Sequence, residues 1–185
     1  MLVYLKEPAL EEYWYEQKIL ADPLSMEYNA GWDVFYDGYD YNTGCISFPE
    51  ERWENNFNKR KGNDKYFAYV VSIEDNKFVG KVNFQYDNKE NNWFCGIVIE
   101  HSQRGKGYGK EALKLLCEVA FNQYNVDALY DGFDLERDSI KIFEDIGFKK
   151  TREIAAKRFN KDIKTIEVCL KKSEFEEVIE CEDYI

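Results

Sequence analysis

The sequence predicts an α/β fold of the α+β type: a mixed, mostly antiparallel central sheet flanked by helices. Three observations carry this. KYFAYVVSI (Lys65–Ile73) and FVGKVNFQY (Phe78–Tyr86) are β-branched and aromatic runs separated by the polar turn Glu74–Lys77, a hairpin signal. Beyond Gln103 the period changes: Leu113, Leu116, Cys117, Ala120 and Tyr124 recur at spacings of three and four and share one helix face. FKKTREIAA (Phe148–Ala156) and DIKTIEVCLK (Asp162–Lys171) then close the chain as a second pair of strands.

The remaining elements fall between these. LVYL (Leu2–Leu5) reads as a short first strand, and Glu11–Leu20 and Glu50–Asn58 as helices. Between the helices lies AGWDVFYDGYDYNTG (Ala30–Gly44), a loop by its glycine and aspartate content. The polar turn Asp87–Asn92 leads into WFCGIVI (Trp93–Ile99), a third antiparallel strand, and DALYDGF (Asp127–Phe133) is a further short strand. Ser139, Ile142, Phe143 and Ile146 lie on one face of a second helix, which Gly147 would cap. The acidic end, Ser173–Ile185, is a frayed helix or a tail. One domain is expected over 1–185, divided into an N-terminal part (1–64), a core (65–172) and the tail (173–185).

Composition narrows the function. A net charge of −11 argues against a nucleic-acid partner, which needs a concentrated positive surface. It suits a cationic substrate and serves solubility equally well. Five cysteines without a C-x-x-C pair, and the single His101, supply no zinc-ligand cluster, so no metal is expected and the thiols read as reduced. MLVYLKEPALEEYW has neither a basic start nor a long apolar run, which predicts no membrane segment and a cytoplasmic location.

QRGKGYGKEAL (Gln103–Leu113) stands out in this acidic chain, with three glycines and three cations in the seven residues from Arg104 to Lys110. A glycine turn between an apolar strand and a helix start is an anion site on physical grounds. The first helical amides lack internal acceptors, and the helix dipole favours negative charge there. Gly105, Gly107 and Gly109 allow close approach and positive φ, while Arg104, Lys106 and Lys110 bring charge suited to a ligand with several phosphates. Two familiar phosphate motifs fail. G-x-G-x-x-G would need glycine where Lys110 stands, and no G-K-[ST] follows for a P-loop.

Arg104-Gly105-Lys106-Gly107-Tyr108-Gly109 resembles the [QR]-x-x-G-x-[GA] segment of the GNAT superfamily, the Gcn5-related N-acetyltransferases. SIKIFEDIGF (Ser139–Phe148) is similar to that family's second signature, and the order of elements from about Lys65 to Lys172 follows the family's. The motif is closest to the branch with ribosomal-protein and small-amine acetyltransferases. The resemblance implies a splayed strand pair forming a groove for acetyl-CoA, the co-substrate. Backbone groups of Ile97, Val98 and Ile99 would bind the pantetheine arm, and amides from Arg104 to Lys110, those of Tyr108 and Gly109 included, the pyrophosphate.

The reaction implied is attack of a primary amine on a thioester. An amine with a pKa of about 10.4 is mostly protonated near neutrality, so the site must remove a proton, and a backbone N–H on the splayed strand would stabilise the developing oxyanion. The resemblance offers Asp131 as that base, with Glu100 as the alternative; His101 has the right chemistry but sits in the turn beside Ser102, where exposure is expected. The sequence departs from the family twice: Phe143 stands where a catalytic tyrosine is usual, and Glu136 where asparagine often lies near the arm. Ser139, Phe143 and Glu136 are the further cofactor-binding candidates. A thiol with a pKa of about 8.5 leaves tolerably as thiolate, so the lost hydroxyl does not abolish the mechanism.

The acceptor wall is expected from Trp32, Asp33, Tyr36, Asp37 and Tyr39, since aromatic faces interleaved with carboxylates suit an ammonium group. A polyamine, an amino sugar and a protein N-terminus all fit, and the family resemblance allows a homodimer. Two other readings stand beside the enzyme: a non-catalytic acetyl-CoA-binding module, and a nucleotide-binding protein with another phosphate ligand.

Overall fold

A computed structural model describes residues 1–135 and 139–176. Strands β1 (Val3–Lys6), β2 (Lys65–Ser72), β3 (Phe78–Asp87), β4 (Asn92–Ile99), β5 (Ala128–Asp134), β6 (Lys149–Arg158) and β7 (Lys161–Lys171) form one seven-stranded sheet in the order β1-β2-β3-β4-β5-β7-β6. Every neighbouring pair is antiparallel except β4 and β5, which run parallel. The mixed, mostly antiparallel sheet is the one expected, with the last strand inserted between β5 and β6.

Helix α4 (Tyr108–Asn122) covers one face of the sheet. Its apolar stripe, Ala112, Leu113, Leu116, Cys117, Ala120 and Phe121, is buried against Val82, Phe84, Leu129 and Val168. Helix α5 (Ile140–Glu144) joins this layer through Phe143. Residues 172–176 are helical and Phe175 packs on Phe121 with ring centroids 5.4 Å apart, so the start of the expected tail belongs to the core.

The opposite face carries α1 (Trp14–Leu20), α2 (Pro23–Met26) and α3 (Trp53–Lys59). Their aromatic core holds Tyr13, Tyr15, Phe48, Phe67 and Tyr69. The expected helix from Glu11 opens instead as a 3-10 turn, Leu10–Glu12, in which the Glu12 carboxylate accepts from the Ala9 amide at 3.0 Å. Helix α2 is four residues long and was not read from periodicity; Asp22 caps it by accepting from the amides of Leu24 and Ser25, with Pro23 at its first position.

One buried ion triad ties these helices to the sheet. Glu16 of α1 is 1% exposed, and its Oε1 lies 2.9 Å from both Lys81 Nζ on β3 and Arg60 Nη2 after α3. Burial pushes the Glu16 carboxyl up, but the two cations outweigh it and hold the pKa below its ordinary value.

Candidate active site

The glycine turn is a run of amides without acceptors. The Arg104 N–H donates to His101 O at 3.2 Å, and the first helical bond of α4 is from the Glu111 N–H to Gly107 O at 3.4 Å. Among the described residues no acceptor meets the amides between them, those of residues 105 to 110. Gly105 (φ 78°) and Gly107 (φ 85°) bend the chain through the left-handed region, which lets successive amides converge. A Cβ on Gly105 would meet nothing within 4 Å.

Arg104 does not serve this cradle with its side chain. Its guanidinium donates to Ile99 O, Ser25 O and Glu27 Oε1, tying α2 to the end of β4. With its amide also taken, the free run begins at Gly105. Lys106 donates to Gln103 Oε1 at 2.7 Å, Lys110 lies 3.6 Å from Asp145, and both ammonium groups border the turn. Tyr108 offers its amide only, because its ring is buried in the α4 core.

The seam between β4 and β5 opens toward this turn. The two strands pair only at Trp93↔Leu129 and Phe94↔Tyr130, after which β4 stays with β3 as far as Ile99 and β5 with β7 as far as Asp134. Each keeps its ladder on the far side, so the seam opens without disturbing either pair. The Glu100 N–H donates to Val79 O on β3, and by the alternation of an antiparallel ladder the backbone of Ile97 and Ile99 faces the seam. Ile99 O is met by Arg104, which among the described residues leaves the Ile97 N–H and C=O and the Ile99 N–H as an open strand edge. Val98 turns its side chain into the aromatic core on the other face.

Asp131 sits just past the last paired residues. Its neighbours on the same face, Leu129, Phe133 and the cross-strand Val168, belong to the α4 core. The Leu135 N–H donates to Lys164 O on β7, so the Gly132 N–H faces the seam, and it donates to Asp131 Oδ1 at 2.8 Å. The carboxylate is therefore drawn into the seam. Burial pushes its pKa up to about 7, against which the Gly132 hydrogen bond pulls down. The buried Cys95 thiol beside it is pushed upward by burial and by the Asp131 charge.

Glu100 is placed differently. Lys18 Nζ donates to both of its oxygens, at 2.9 and 3.0 Å, Ser102 Oγ donates at 3.0 Å, and Tyr15 OH lies at 3.4 Å. It braces α1 against the end of β4, with its acceptor sites filled. His101 is exposed. Phe143 is 2% exposed between Phe133 and Phe148, with centroids at 4.7 and 5.0 Å, so it is a core residue with no face left for a cofactor. Among the described residues Ser139 Oγ is buried without a hydrogen-bond partner, the kind of atom a bound ligand would satisfy. Glu136 lies outside the described residues.

The five expected acceptor residues divide. Trp32 donates its indole N–H to Tyr28 O at 3.0 Å, and Tyr39 donates its hydroxyl to Asn29 O at 2.6 Å, so both brace the loop. Asp37 is ion-paired with Arg52. Asp33 and Tyr36 are exposed, as is Phe35 between them. What fastens the loop is Arg158, which donates to Ala30 O, Glu27 O and Asp134 Oδ2 at 2.8–3.0 Å. Arg158→Ala should destabilise the fold by about 2 kcal/mol or more, since bonds to charged donors are each worth about 1.5–3 kcal/mol, and urea unfolding would measure it.

Two participants escaped the sequence reading. Gly132 supplies the amide that holds Asp131 in the seam; a glycine inside a strand was its signal, since such positions mark close backbone approach. Arg158 had no signal, because the carbonyls it holds in the loop region lie 128 and 131 residues away.

The comparisons bear on this geometry. A family model described as an acetyltransferase (GNAT) domain matches residues 2–149. No curated protein matches. Among solved structures, a GNAT-family acetyltransferase from Bacillus anthracis is similar with a TM-score of 0.71 at 18% identity, covering 94% of this chain and 97% of that one. The spermidine N-acetyltransferase from Vibrio cholerae, in complex with CoA and spermine, gives 0.74 at 14% identity over 95% of this chain and 98% of that one. At these identities the structures speak for the fold. No helix among the described residues is long and apolar enough to cross a membrane, and no described group of three or more His, Cys, Asp or Glu could hold a metal ion.

Proposed function

The chain belongs to the GNAT acetyltransferase family, and from that premise we propose that it transfers the acetyl group of acetyl-CoA to a primary amine, with Asp131 as the proton acceptor. The observation that carries this reading is the continuity of cradle, open edge and carboxylate. Free amides at 105–110 lead to the unpaired edge of Ile97 and Ile99, and the seam closes beside Asp131.

Acetyl-CoA supplies the activated acyl thioester. The residues present fit it: the cradle amides for its phosphates, the edge of β4 for an amide-bearing arm, and Ser139 Oγ for one further polar contact. The Ile97 N–H faces the seam and can donate to negative charge developing on the acyl oxygen. Asp131, with its pKa near 7, exists in both protonation states near neutrality and can take a proton from an ammonium group and later release it.

The acceptor we favour carries a single ammonium group. On the face opposite α4, the buried carboxylates of Glu16, Asp134 and Glu167 are each ion-paired within the chain, to Lys81 and Arg60, to Arg158, and to Arg152. A polycation such as the spermine held by the Vibrio cholerae structure meets no unpaired carboxylate among these three. A second reading, a non-catalytic acetyl-CoA-binding module, is favoured by Phe143, which lacks a hydroxyl and is buried. Thiol release from acetyl-CoA over a panel of monoamines, polyamines and peptide N-termini separates them. Turnover with a monoamine is expected; stabilisation by CoA without thiol release on any amine would support the module.

A further inference from the structure

A pocket of about 370 Å³ lies where β2 begins and α3 and α4 end, two strands across the sheet from β4. The glycine turn is at the other end of the 15-residue α4, about 22 Å away at 1.5 Å per residue. The pocket's walls are aromatic: Tyr13, Phe57, Tyr66, Phe67 and Tyr124. Its charges are Arg60, Lys61 and Lys65 against Glu7, a local reversal in a chain of net charge −11.

Lys61 and Lys65 are held loosely, whereas Arg60 lies flat against a ring with its Nη2 paired to Glu16 at 2.9 Å. The Arg60 guanidinium lies 3.5 Å from the Phe67 ring centroid, and its buried Nη1 sits near the Tyr13 phenol without a well-aligned hydrogen bond. Lys61 Nζ is 4.1 Å from the Phe57 centroid and 3.4 Å from Asn58 Oδ1, and Lys65 Nζ is 3.4 Å from Asp64. Long, weak partners leave both ammonium groups able to meet an anion more closely. The volume falls at the lower end of small-molecule pockets, roughly 300–1,000 Å³, enough for a bicyclic ring.

We propose that this pocket binds a small aromatic carboxylate, its ring among the aromatic walls and its carboxylate toward Lys61, Lys65 and Arg60. Aromatic faces alone would also suit a cation, but the ammonium groups of Lys61 and Lys65 oppose one, Arg60 being paired with Glu16. The site is independent of the acetyl-transfer reading.

Calorimetric titration of the whole chain with indole-3-acetate and with its neutral amide tests this. The acid is expected to bind, and the amide to bind at least about tenfold more weakly, a difference of about 1.4 kcal/mol. The double variant Lys61→Ala/Lys65→Ala leaves the buried Glu16 triad untouched and is expected to weaken the acid by about tenfold while leaving acetyl-CoA affinity unchanged. The proposal is overturned if acid and amide bind alike, if neither binds at roughly 10 mM, if the double variant binds the acid as the parent does, or if a soaked crystal shows the acid in the seam. Spermine found in this pocket would overturn it as well.

Discussion

Asp131→Asn is expected to lower kcat/KM for the acceptor amine by about 10²–10⁴-fold, the range a positioned general base contributes. Acetyl-CoA affinity should stay within roughly threefold, because the amide is isosteric and its oxygen can still accept from the Gly132 N–H at the same place. The pH profile supplies a sharper signature. With its pKa near 7, Asp131 is protonated and idle as a base at lower pH, so the acidic limb of kcat/KM should rise through about pH 7. That limb should vanish in the variant.

The same substitution should stabilise the protein. A carboxyl at about 7 in the fold and 3.8 outside it binds more protons when folded, so stability falls as pH rises from about 4 to 7 and is flat above. Asparagine removes this partly buried charge. At pH 8 the gain, discounted for partial exposure, is on the order of 1–2 kcal/mol, or roughly 2–8 °C in Tm for a chain of this length, shrinking toward zero at pH 4. A slower enzyme that melts higher, with the difference confined to neutral and basic pH, is the expected pair of results. An Asn variant with parental kinetics would remove Asp131 from the reaction.

Gly107→Glu is expected to weaken acetyl-CoA binding by roughly 100-fold or more, about 2.7 kcal/mol, relative to Gly107→Ala. Both replacements carry the same backbone burden, since φ is 85° and a Cβ would lie 3.2 Å from Leu2 Cδ1. An L residue in that region costs about 1–2 kcal/mol, and the alanine variant measures it. What remains is a carboxylate among amides suited to phosphate. Isothermal titration with acetyl-CoA reads the difference, and equal affinities in the two variants would move the phosphates off this turn.

How much of this was legible depends on what kind of group does the work. The glycine turn could be read because its chemistry is backbone chemistry, and spaced glycines before an amphipathic helix encode it directly. Asp131 was reached through the family resemblance; its hold on the seam depends on Gly132 and on where β5 leaves β4, a parting that no local pattern marks. Arg104 looked like part of an anion site by composition, yet its guanidinium bonds to Ser25 and Glu27, nearly 80 residues earlier in the chain. The aromatic loop differs, because its polar atoms are used locally. Trp32 and Tyr39 read as a cation wall, and their polar atoms instead hold the loop to itself, while Arg158 fastens it to the final hairpin. Partners from distant segments decided Arg104 and Arg158, whereas Trp32 and Tyr39 were decided by bonds within their own loop.

The most direct measurement is a crystal structure of the chain with CoA. The diphosphate should lie within hydrogen-bond distance of the amides of residues 105–110, the arm along the Ile97–Ile99 edge, and the sulfur beside Asp131. Density for CoA outside the seam, or a sulfur pointing away from Asp131, would contradict the account.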